Sequence, residues 1–228
     1  MIFRQLFEKE SSTYTYILAD EGTLEGVIID PVRETLTRDL QLIEELGIRL
    51  LYTLETHVHA DHVTAAASIR QKTGAQVVLG AETKVPTADL LLKDDDVLHF
   101  GGHTLRAIHT PGHTDGCTCY QIEDRVFTGD TLLIRGCGRT DFQSGSAPLL
   151  FASIRSKLFA LPDSTLVFPG HDYTGKTCSS IAEEKKFNPR VKLTNTVEQF
   201  VEIMANLKLS PPAKIAEAVP ANMKSGIS

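Results

Sequence analysis

Four side chains of the metal-ligand type stand close together in the run His57-Val58-His59-Ala60-Asp61-His62. The run follows Leu50 to Thr56, an apolar segment rich in strand formers, and precedes a helical pattern. A loop at the carboxyl end of a strand can direct several side chains into one cleft. Imidazole nitrogens with a carboxylate oxygen suit zinc, iron or manganese, and without a metal such a cluster would be poorly paired. The run therefore predicts a metal site.

Three shorter segments repeat the order of an apolar strand, a turn with glycine and a residue able to bind a metal. They are Thr110-Pro111-Gly112-His113, Phe127-Thr128-Gly129-Asp130 and Phe168-Pro169-Gly170-His171. The glycine before each ligand permits the tight turn that places the ligand side chain directly after the strand. Each segment alone is typical of an ordinary turn. Together with the first run, they predict that ligands from four separated stretches meet at one site.

Size and charge limit the classes of protein to which the chain can belong. Its 228 residues are 42% hydrophobic, with a mean hydropathy of -0.07, so it can bury one substantial core. It contains no repeat, low-complexity tract or linker, and we expect a single domain over residues 1–228. The net charge of -6 argues against nucleic acid or anionic membrane as a partner. No run approaches the length of a transmembrane helix.

The N-terminus and the cysteines bear on location. The first ten residues carry acidic side chains and no long apolar stretch, which is typical of neither a secretory signal nor a transit peptide. The four cysteines, Cys117, Cys119, Cys137 and Cys178, are few for a chain with this much core, and we expect no disulfides. The sequence therefore predicts a reducing, cytoplasmic location.

Short strands alternate with amphipathic helices along the chain. Apolar or alternating runs bounded by turn formers predict strands at Tyr14 to Ala19, Gly26 to Asp30, Leu50 to Thr56, Gln76 to Leu79, Leu105 to His109, Cys119 to Ile122, Val126 to Thr128 and Thr165 to Phe168. Helical spacing predicts helices from Leu36 to Leu46, from Val63 to Ile69 and from Leu149 to Leu161, the first two closed by Gly47 and Gly74. Because several strands in the middle are joined only by turns, a mixed sheet arrangement is favoured over a parallel one.

The C-terminal part has two predicted features. Thr196 is predicted to begin a fourth helix, capped by its own hydroxyl and by Gln199. The tail from Pro211 to Ser228 contains three prolines and is predicted to be extended. Its apolar residues Ile215, Ala218 and Val219 suggest that it docks onto the body.

The four ligand-bearing segments together resemble the metallo-β-lactamase superfamily. The resemblance implies an α/β (α+β) fold, the αββα sandwich, with two mixed sheets flanked by helices and a metal site at one edge. In this superfamily one metal position generally uses the residues matching His57, His59 and His113, and a second uses those matching Asp61, His62 and His171, with Asp130 able to bridge. All seven positions are filled, so one metal or two, and hydrolysis or redox chemistry, remain open.

The segment after Asp130 resembles the persulfide dioxygenases of this superfamily. It runs Gly136-Cys137-Gly138-Arg139-Thr140-Asp141, whereas glyoxalase II typically has two aromatic residues in place of Thr140-Asp141. The resemblance continues through His171-Asp172-Tyr173, Asn188-Pro189-Arg190 and Ala218-Val219-Pro220-Ala221-Asn222-Met223, and so covers essentially the whole chain. Glyoxalase II also carries a longer helical C-terminal region that helps to hold glutathione, and this chain stops without it.

The resemblance to persulfide dioxygenases implies one Fe(II) per chain, held by His57, His113 and Asp130. Two histidines and one carboxylate form the facial triad of non-haem iron oxygenases, which leaves positions for a substrate sulfur and dioxygen. The implied reaction is oxidation of glutathione persulfide by O2 to sulfite and glutathione. The remaining ligand-type residues would be outer groups or a second site: His59, Asp61, His62 and His171.

Residues for the tripeptide are implied by the related hydrolase. Arg139 and Tyr173 match positions that contact glutathione there, and Lys176 is close to them in sequence. Arginine suits a carboxylate because its planar fork donates two parallel hydrogen bonds. For Arg139 an ion pair with Asp141 is the structural alternative, and Lys176 could be a solvated charge.

Other hypotheses stay open from the sequence. A dinuclear thioester hydrolase of the glyoxalase II type would use all seven ligands, and a metal-binding scaffold without chemistry would use them for structure alone. Cys137 could carry a persulfide or simply pack between two glycines, while Cys117 and Cys119 are predicted to be buried on a strand and Cys178 to be structural. The remaining histidines, His99, His103 and His109, are predicted to lie outside the site. We expect a small-molecule substrate, and the sequence leaves open whether the chain is a monomer or a homodimer.

Overall fold

Two six-stranded sheets form the centre of the molecule. The computed structural model describes residues 1–212 and 214–227. The first sheet contains, in spatial order, β1 (Ile2–Glu8), β2 (Thr13–Ala19), β3 (Glu25–Ile29), β4 (Arg49–Leu54), β5 (Gln76–Gly80) and β6 (Leu90–Leu92). The second contains β7 (Val97–Phe100), β8 (His103–His109), β9 (Thr118–Ile122), β10 (Arg125–Gly129), β11 (Leu166–Pro169) and β12 (Ser179–Ser180). Both sheets mix parallel and antiparallel pairs, as the turn-linked strands predicted.

Six α-helices lie in the described part of the chain. They are α1 (Leu36–Glu45), α2 (Ala66–Thr73), α3 (Ala147–Ser153), α4 (Ile181–Phe187), α5 (Val197–Ala205) and α6 (Ile215–Asn222). A π-helical turn, Ile154–Leu158, continues α3, so the predicted third helix has an irregular second half. None of these helices is long and apolar enough to cross a membrane.

Three apolar clusters join the sheets to each other and to the helices. Side chains from both sheets meet between them, including Tyr16 from the first sheet and Phe127 and Phe168 from the second. Ile43 of α1 and Ile69 of α2 pack on the outer face of the first sheet. Side chains of α3, α4 and α5 pack on the outer face of the second. The arrangement is helix, sheet, sheet, helix, and the predicted αββα sandwich is confirmed.

Local signals in the sequence correspond to observed helix ends. The Thr196 hydroxyl accepts a hydrogen bond from the Gln199 amide, and the Gln199 side chain accepts one from the Thr196 amide, which is the predicted capping box. Gly74 ends α2 with a φ of 78°, and Gly47 follows α1 with a φ of 66°. Both lie in the left-handed region, where glycine carries no side-chain clash.

The prediction of an extended tail is wrong over Ile215–Asn222, which forms α6. Pro220 lies inside this helix, but it is exposed, as is Ala216, whose carbonyl would have accepted its missing N–H bond. That carbonyl is therefore free to meet water. The predicted docking is borne out at Ala218, which is buried, and at Val219, which packs against the cluster around Val58. Ser228, the last residue of the predicted tail, lies outside the described residues.

Candidate metal centre

Four loops bring the ligand-type residues to one edge of the sandwich. His57, His59, Asp61 and His62 lie between β4 and α2, and His113 lies in the loop after β8. Asp130 directly follows β10, and His171 follows β11. Because β10 and β11 are parallel neighbours, their carboxyl ends are adjacent, and the Gly170 amide donates to the Gly129 carbonyl at 2.8 Å.

His57, His113 and Asp130 form one compact group. A ligand atom of each lies within 4.8 Å of the other two. The imidazole rings of His57 and His113 are edge to face, with centroids 4.9 Å apart, and Nε2 of His113 lies 3.6 Å from Oδ2 of Asp130. The group has the composition and the spacing of a site for one divalent transition metal.

Nδ1 of His57, the ring nitrogen that faces away from the group, is held by a chain of two hydrogen bonds. The Thr56 hydroxyl donates to Oδ2 of Asp30 at 2.8 Å, so it accepts from Nδ1 of His57, 3.0 Å away. Asp30 also accepts from the Thr56 amide at 2.7 Å. With its proton on Nδ1, His57 presents the lone pair of Nε2 to the group, as ligating histidines do when a neighbour fixes their tautomer.

His113 is fixed in the same way by the loop after β10. Its Nδ1 donates to the main-chain carbonyl of Arg139 at 2.7 Å, which leaves Nε2 facing Asp130. The loop approaches closely because Gly138 has no side chain: a Cβ there would lie 2.7 Å from Nδ1 of His113 and 2.5 Å from the Asp130 carbonyl oxygen. The glycine before Arg139 is therefore required by the position of a candidate ligand.

His59, Asp61 and His62 form a second group, again with ligand atoms within 4.8 Å of one another. His171 adjoins both groups, because its Nε2 lies 3.5 Å from Oδ1 of Asp130 and 3.7 Å from Oδ2 of Asp61. The Thr13 hydroxyl, from the first sheet, lies 3.4 Å from polar atoms of Asp61, His62 and His171. All seven ligand-type residues predicted from the sequence therefore lie together.

Two buried acids beside the site were not predicted. Asp30 follows β3 and Glu55 follows β4, and both lie near Nε2 of His59, at 3.2 and 3.3 Å. Their signal was available, because each is an acid at the carboxyl end of a buried strand. Although burial opposes protonation of His59, the two carboxylates hold its pKa well above the usual value. Burial raises the pKa of Glu55 to about 7.

Several polar atoms of the site are buried and lack a hydrogen-bond partner within the described part of the chain. They are Oδ1 of Asp130, Nδ1 of His59 and Nε2 of His62. Buried polar groups are seldom left unpaired, since each costs free energy. Burial and the neighbouring imidazoles of His59 and His113 hold the pKa of His57 well below its usual value, so His57 is neutral near pH 7. An unpaired carboxylate oxygen on Asp130 beside the neutral imidazole of His57 is what a cation requires, so the donor set of the first group fits a metal ion.

A cavity of about 500 Å³ opens onto His57, His113 and Asp130. Its volume lies within the range of small-molecule sites, roughly 300–1,000 Å³. Arg139 and Tyr173, both predicted to hold substrate, line it. Tyr173 is 74% exposed, and its ring lies parallel to the His171 ring with centroids 6.1 Å apart. Its position at the solvent boundary suits contact with an entering ligand.

Arg139 makes the ion pair that was the structural alternative to substrate binding. Nε and Nη2 each lie 2.7 Å from an Asp141 oxygen, and Nη1 donates to the Ser210 carbonyl at 2.8 Å. Much of its donor capacity is therefore used within the protein. Lys176 is not among the described residues that line the cavity, and its ammonium donates to the Thr174 hydroxyl at 2.9 Å.

Two further cations line the same cavity, and sequence reasoning did not single them out as site residues. Nη1 of Arg190 donates to the Cys137 carbonyl at 2.6 Å, and its Nε and Nη2 have no hydrogen-bond partner within the described part of the chain. Lys214 lines another part and lies 3.1 Å from Glu10 and 3.3 Å from Glu34. The Asn188-Pro189-Arg190 run was a visible signal for Arg190, whereas nothing in the sequence marked Lys214.

Known proteins resemble the chain over its full length. A family model described as the metallo-β-lactamase superfamily matches residues 9–171. The human mitochondrial persulfide dioxygenase ETHE1 is 49% identical over 100% of this chain and 89% of its own length. The chain belongs to the persulfide dioxygenase family of the metallo-β-lactamase superfamily.

Other comparisons agree with this family. A crystal structure of ETHE1 from Myxococcus xanthus superposes with a TM-score of 0.95, at 51% identity, covering 99% of this chain and 100% of that one. A hydroxyacylglutathione hydrolase of Pelagibacter ubique is 30% identical over 96% of this chain and 90% of its own length. The hydrolase alternative therefore corresponds to a more distant relative than the dioxygenases.

Cys137, in the glycine loop of this persulfide dioxygenase family member, lines the cavity but is only 2% exposed. Its sulfur lies 3.8 Å from that of Met204, and burial raises the pKa of its thiol to about 11. A thiol in this state is a poor nucleophile at neutral pH, which favours packing over a persulfide-carrying role. Cys117 and Cys119 are buried as predicted, whereas Cys178, predicted to be structural, is exposed.

Proposed function

We propose that the protein is an Fe(II)-dependent persulfide dioxygenase, in which one iron per chain is held by His57, His113 and Asp130. The observation that carries the proposal is the pair of fixed tautomers, since Nδ1 of His57 meets the Thr56 hydroxyl and Nδ1 of His113 meets the Arg139 carbonyl. Each ring then offers Nε2 beside the Asp130 carboxylate. Two imidazoles and one carboxylate are the facial triad of oxygen-activating iron, which leaves coordination positions open.

The proposed reaction converts glutathione persulfide, O2 and water to glutathione, sulfite and two protons. Bound Fe(II) would supply the redox chemistry for oxidising the terminal sulfur, which zinc, having no accessible redox change, does not offer. The chain supplies position and a proton acceptor. Nε2 of His171 lies between the Asp130 and Asp61 carboxylates, which raise its pKa against the effect of burial. It is placed to hold one released proton.

Cationic side chains are proposed to select a substrate with carboxylates. Arg139, Arg190 and Lys214 all line the cavity, and glutathione carries two carboxylates. Because Arg139 is engaged with Asp141, Arg190 has the more available guanidinium for a two-point contact. Tyr173 would pack against the tripeptide at the solvent boundary. This arrangement supports a negatively charged thiol derivative of low molecular weight as substrate.

The second group, His59, Asp61 and His62, is proposed to act without a metal in the working enzyme. Nε2 of His59 faces Asp30 and Glu55, and Nδ1 of His62 lies 3.0 Å from Asp61. These contacts satisfy part of the hydrogen-bonding capacity of the group without a metal.

We also propose a reducing compartment, the cytoplasm, because all four cysteines are free. Locating a tagged chain in its own cells tests the compartment, and the mammalian relatives, which are named mitochondrial, set the opposing expectation.

The deciding experiment follows O2 uptake after freshly prepared glutathione persulfide is added to the protein reconstituted with Fe(II). Zinc-loaded protein is the matched control. Uptake with sulfite in equal amount, absent from the zinc form, is the expected result. Full iron occupancy without O2 uptake would reject the proposal, and release of glutathione from S-lactoylglutathione by the same sample would support thioester hydrolysis instead.

A further inference from the structure

Asn222, the last residue of α6, contacts the loop that carries four of the site residues. Its Nδ2 donates to the carbonyl oxygens of His59 and His62, both at 2.9 Å. Its Oδ1 accepts from the Thr64 amide at 2.9 Å. The side chain is 3% exposed. One amide group, located more than 150 residues further along the chain, therefore bonds three main-chain groups within six residues of the site loop.

The turn that follows α6 is fitted against the same loop. The Ser225 carbonyl accepts from the Ala67 amide at 2.9 Å, at the start of α2. Gly226 has a φ of 87°, and a Cβ there would lie 2.1 Å from the Thr64 carbonyl oxygen. The terminal segment thus closes over the backbone that leads from the histidines into α2.

The geometry suits an asparagine and no other common side chain. An amide offers two donors and an acceptor on a short stem, and here it uses both kinds at once. An aspartate would keep an acceptor for the Thr64 amide but would face the carbonyls of His59 and His62 with a second oxygen. Alanine would leave two carbonyls and one amide of a buried loop without partners.

We propose that Asn222 is a positioning residue for the metal centre, holding the backbone of residues 59–64 so that His57 keeps its place at the metal and the second group keeps its place beside it. The inference rests on the proposed metal site and extends it to the C-terminal helix. The three hydrogen bonds to the histidine loop are sufficient to explain why Asn222, in the Ala218 to Met223 run, is buried. Substituting a residue that orients a metal ligand typically lowers metal affinity by about 10- to 100-fold.

The test compares Asn222→Asp and Asn222→Ala with Ser225→Ala. Ser225→Ala removes a hydroxyl contact to Thr87, 2.7 Å long, from the same buried turn but leaves the loop's hydrogen bonds intact. Metal-free full-length proteins are titrated with Co(II) against a chelator of known affinity. Co(II) absorption in the visible range reports the coordination geometry, and thermal unfolding of the metal-free forms reports stability.

Both Asn222 variants are expected to bind Co(II) at least ~10-fold more weakly and with an altered spectrum, while Ser225→Ala stays within ~2-fold of wild type. Unchanged affinity in Asn222→Asp would overturn the proposal, as would an equal loss in Ser225→Ala. Failure of Asn222→Asp to fold would assign the residue to folding alone and also overturn it. Wild-type protein that binds metal but does not consume O2 with glutathione persulfide would refute the proposed function. The Co(II) affinities of the variants would still test the positioning role of Asn222.

Discussion

Nδ1 of His113 lies 2.7 Å from the main-chain carbonyl oxygen of Arg139. The bond joins a proposed metal ligand to the residue whose side chain lines the substrate cavity. It is made by backbone, so the identity of the side chain at 139 does not set it. The absence of a Cβ at Gly138 allows the approach. The Gly-Cys-Gly-Arg run therefore supports a candidate metal ligand and lines the cavity at once.

Substituting Gly138 by alanine is expected to displace His113, because the new Cβ would lie 2.7 Å from Nδ1 and 2.5 Å from the Asp130 carbonyl oxygen. We expect metal affinity and turnover to fall by about 10- to 100-fold. Gly136→Ala is the matched control in the same loop, since its Cβ would meet nothing nearer than 3.7 Å. Metal content and O2 uptake of the two variants decide the point; equal behaviour would refute the steric argument.

Removing a ligand of the first group should abolish metal binding, whereas removing one of the second should not. We expect His113→Ala to retain less than about a tenth of the wild-type iron, because one of three ligands is lost. It should show no measurable O2 uptake. His62→Ala should keep about one iron per chain, because His62 belongs to the other group. Elemental analysis after desalting gives the stoichiometry. Two metals in the wild type, with one lost in His62→Ala, would indicate a dinuclear site.

The clustering of the candidate ligands was predictable because they stand in local motifs. Each motif joins a strand end, a glycine turn and a ligand, and these patterns are written in consecutive residues such as Gly129-Asp130. Asp30 and Glu55 were marked only as acids at strand ends, because their relation to His59 exists only once β3 and β4 lie side by side. The family resemblance named His57, His113 and Asp130 as one group, but the distances within that group come only from the folded chain.

The cationic residues of the cavity are expected to differ in their effect on substrate binding. Arg190→Gln should raise KM for glutathione persulfide by about 10-fold or more, in keeping with the loss of ~1.5–3 kcal/mol from a hydrogen bond to a charged group, with little change in kcat. Lys176→Gln should leave KM unchanged, because Lys176 is not among the described cavity residues. Steady-state O2 uptake measures both. A larger effect at Lys176 than at Arg190 would show that the tripeptide lies elsewhere.

Cys137 is expected to resist alkylation at moderate pH. Burial raises the pKa of its thiol to about 11, so the reactive thiolate is about one part in a thousand at pH 8 and grows as pH rises toward that value. The exposed Cys178 should react with iodoacetamide at pH 8 well before it. Peptide mass mapping against time at pH 8 and pH 10 follows each site. Rapid labelling of Cys137 at pH 8 would restore the hypothesis of a reactive thiol.

The fold was predicted better at its centre than at its edges. The central strands carry apolar runs, whereas β1 (Ile2–Glu8) includes Arg4, Gln5 and Glu8 and pairs only with β2 at the margin of the sheet. Strands at an edge need less apolar surface, so composition marks them poorly. The prediction of an extended tail was wrong because proline content does not reveal which face of a helix is exposed, and Pro220 lies on the exposed face of α6.

The exposed thiol of Cys178 has a practical consequence. Three of the four cysteines are buried and Cys178 alone is accessible, so oxidation in air can join two chains through it without any native interface. A native homodimer must therefore be sought by sedimentation in the presence of a reductant, or with Cys178→Ser. The same residue gives spectroscopists a single attachment point for a probe on the unmodified sequence.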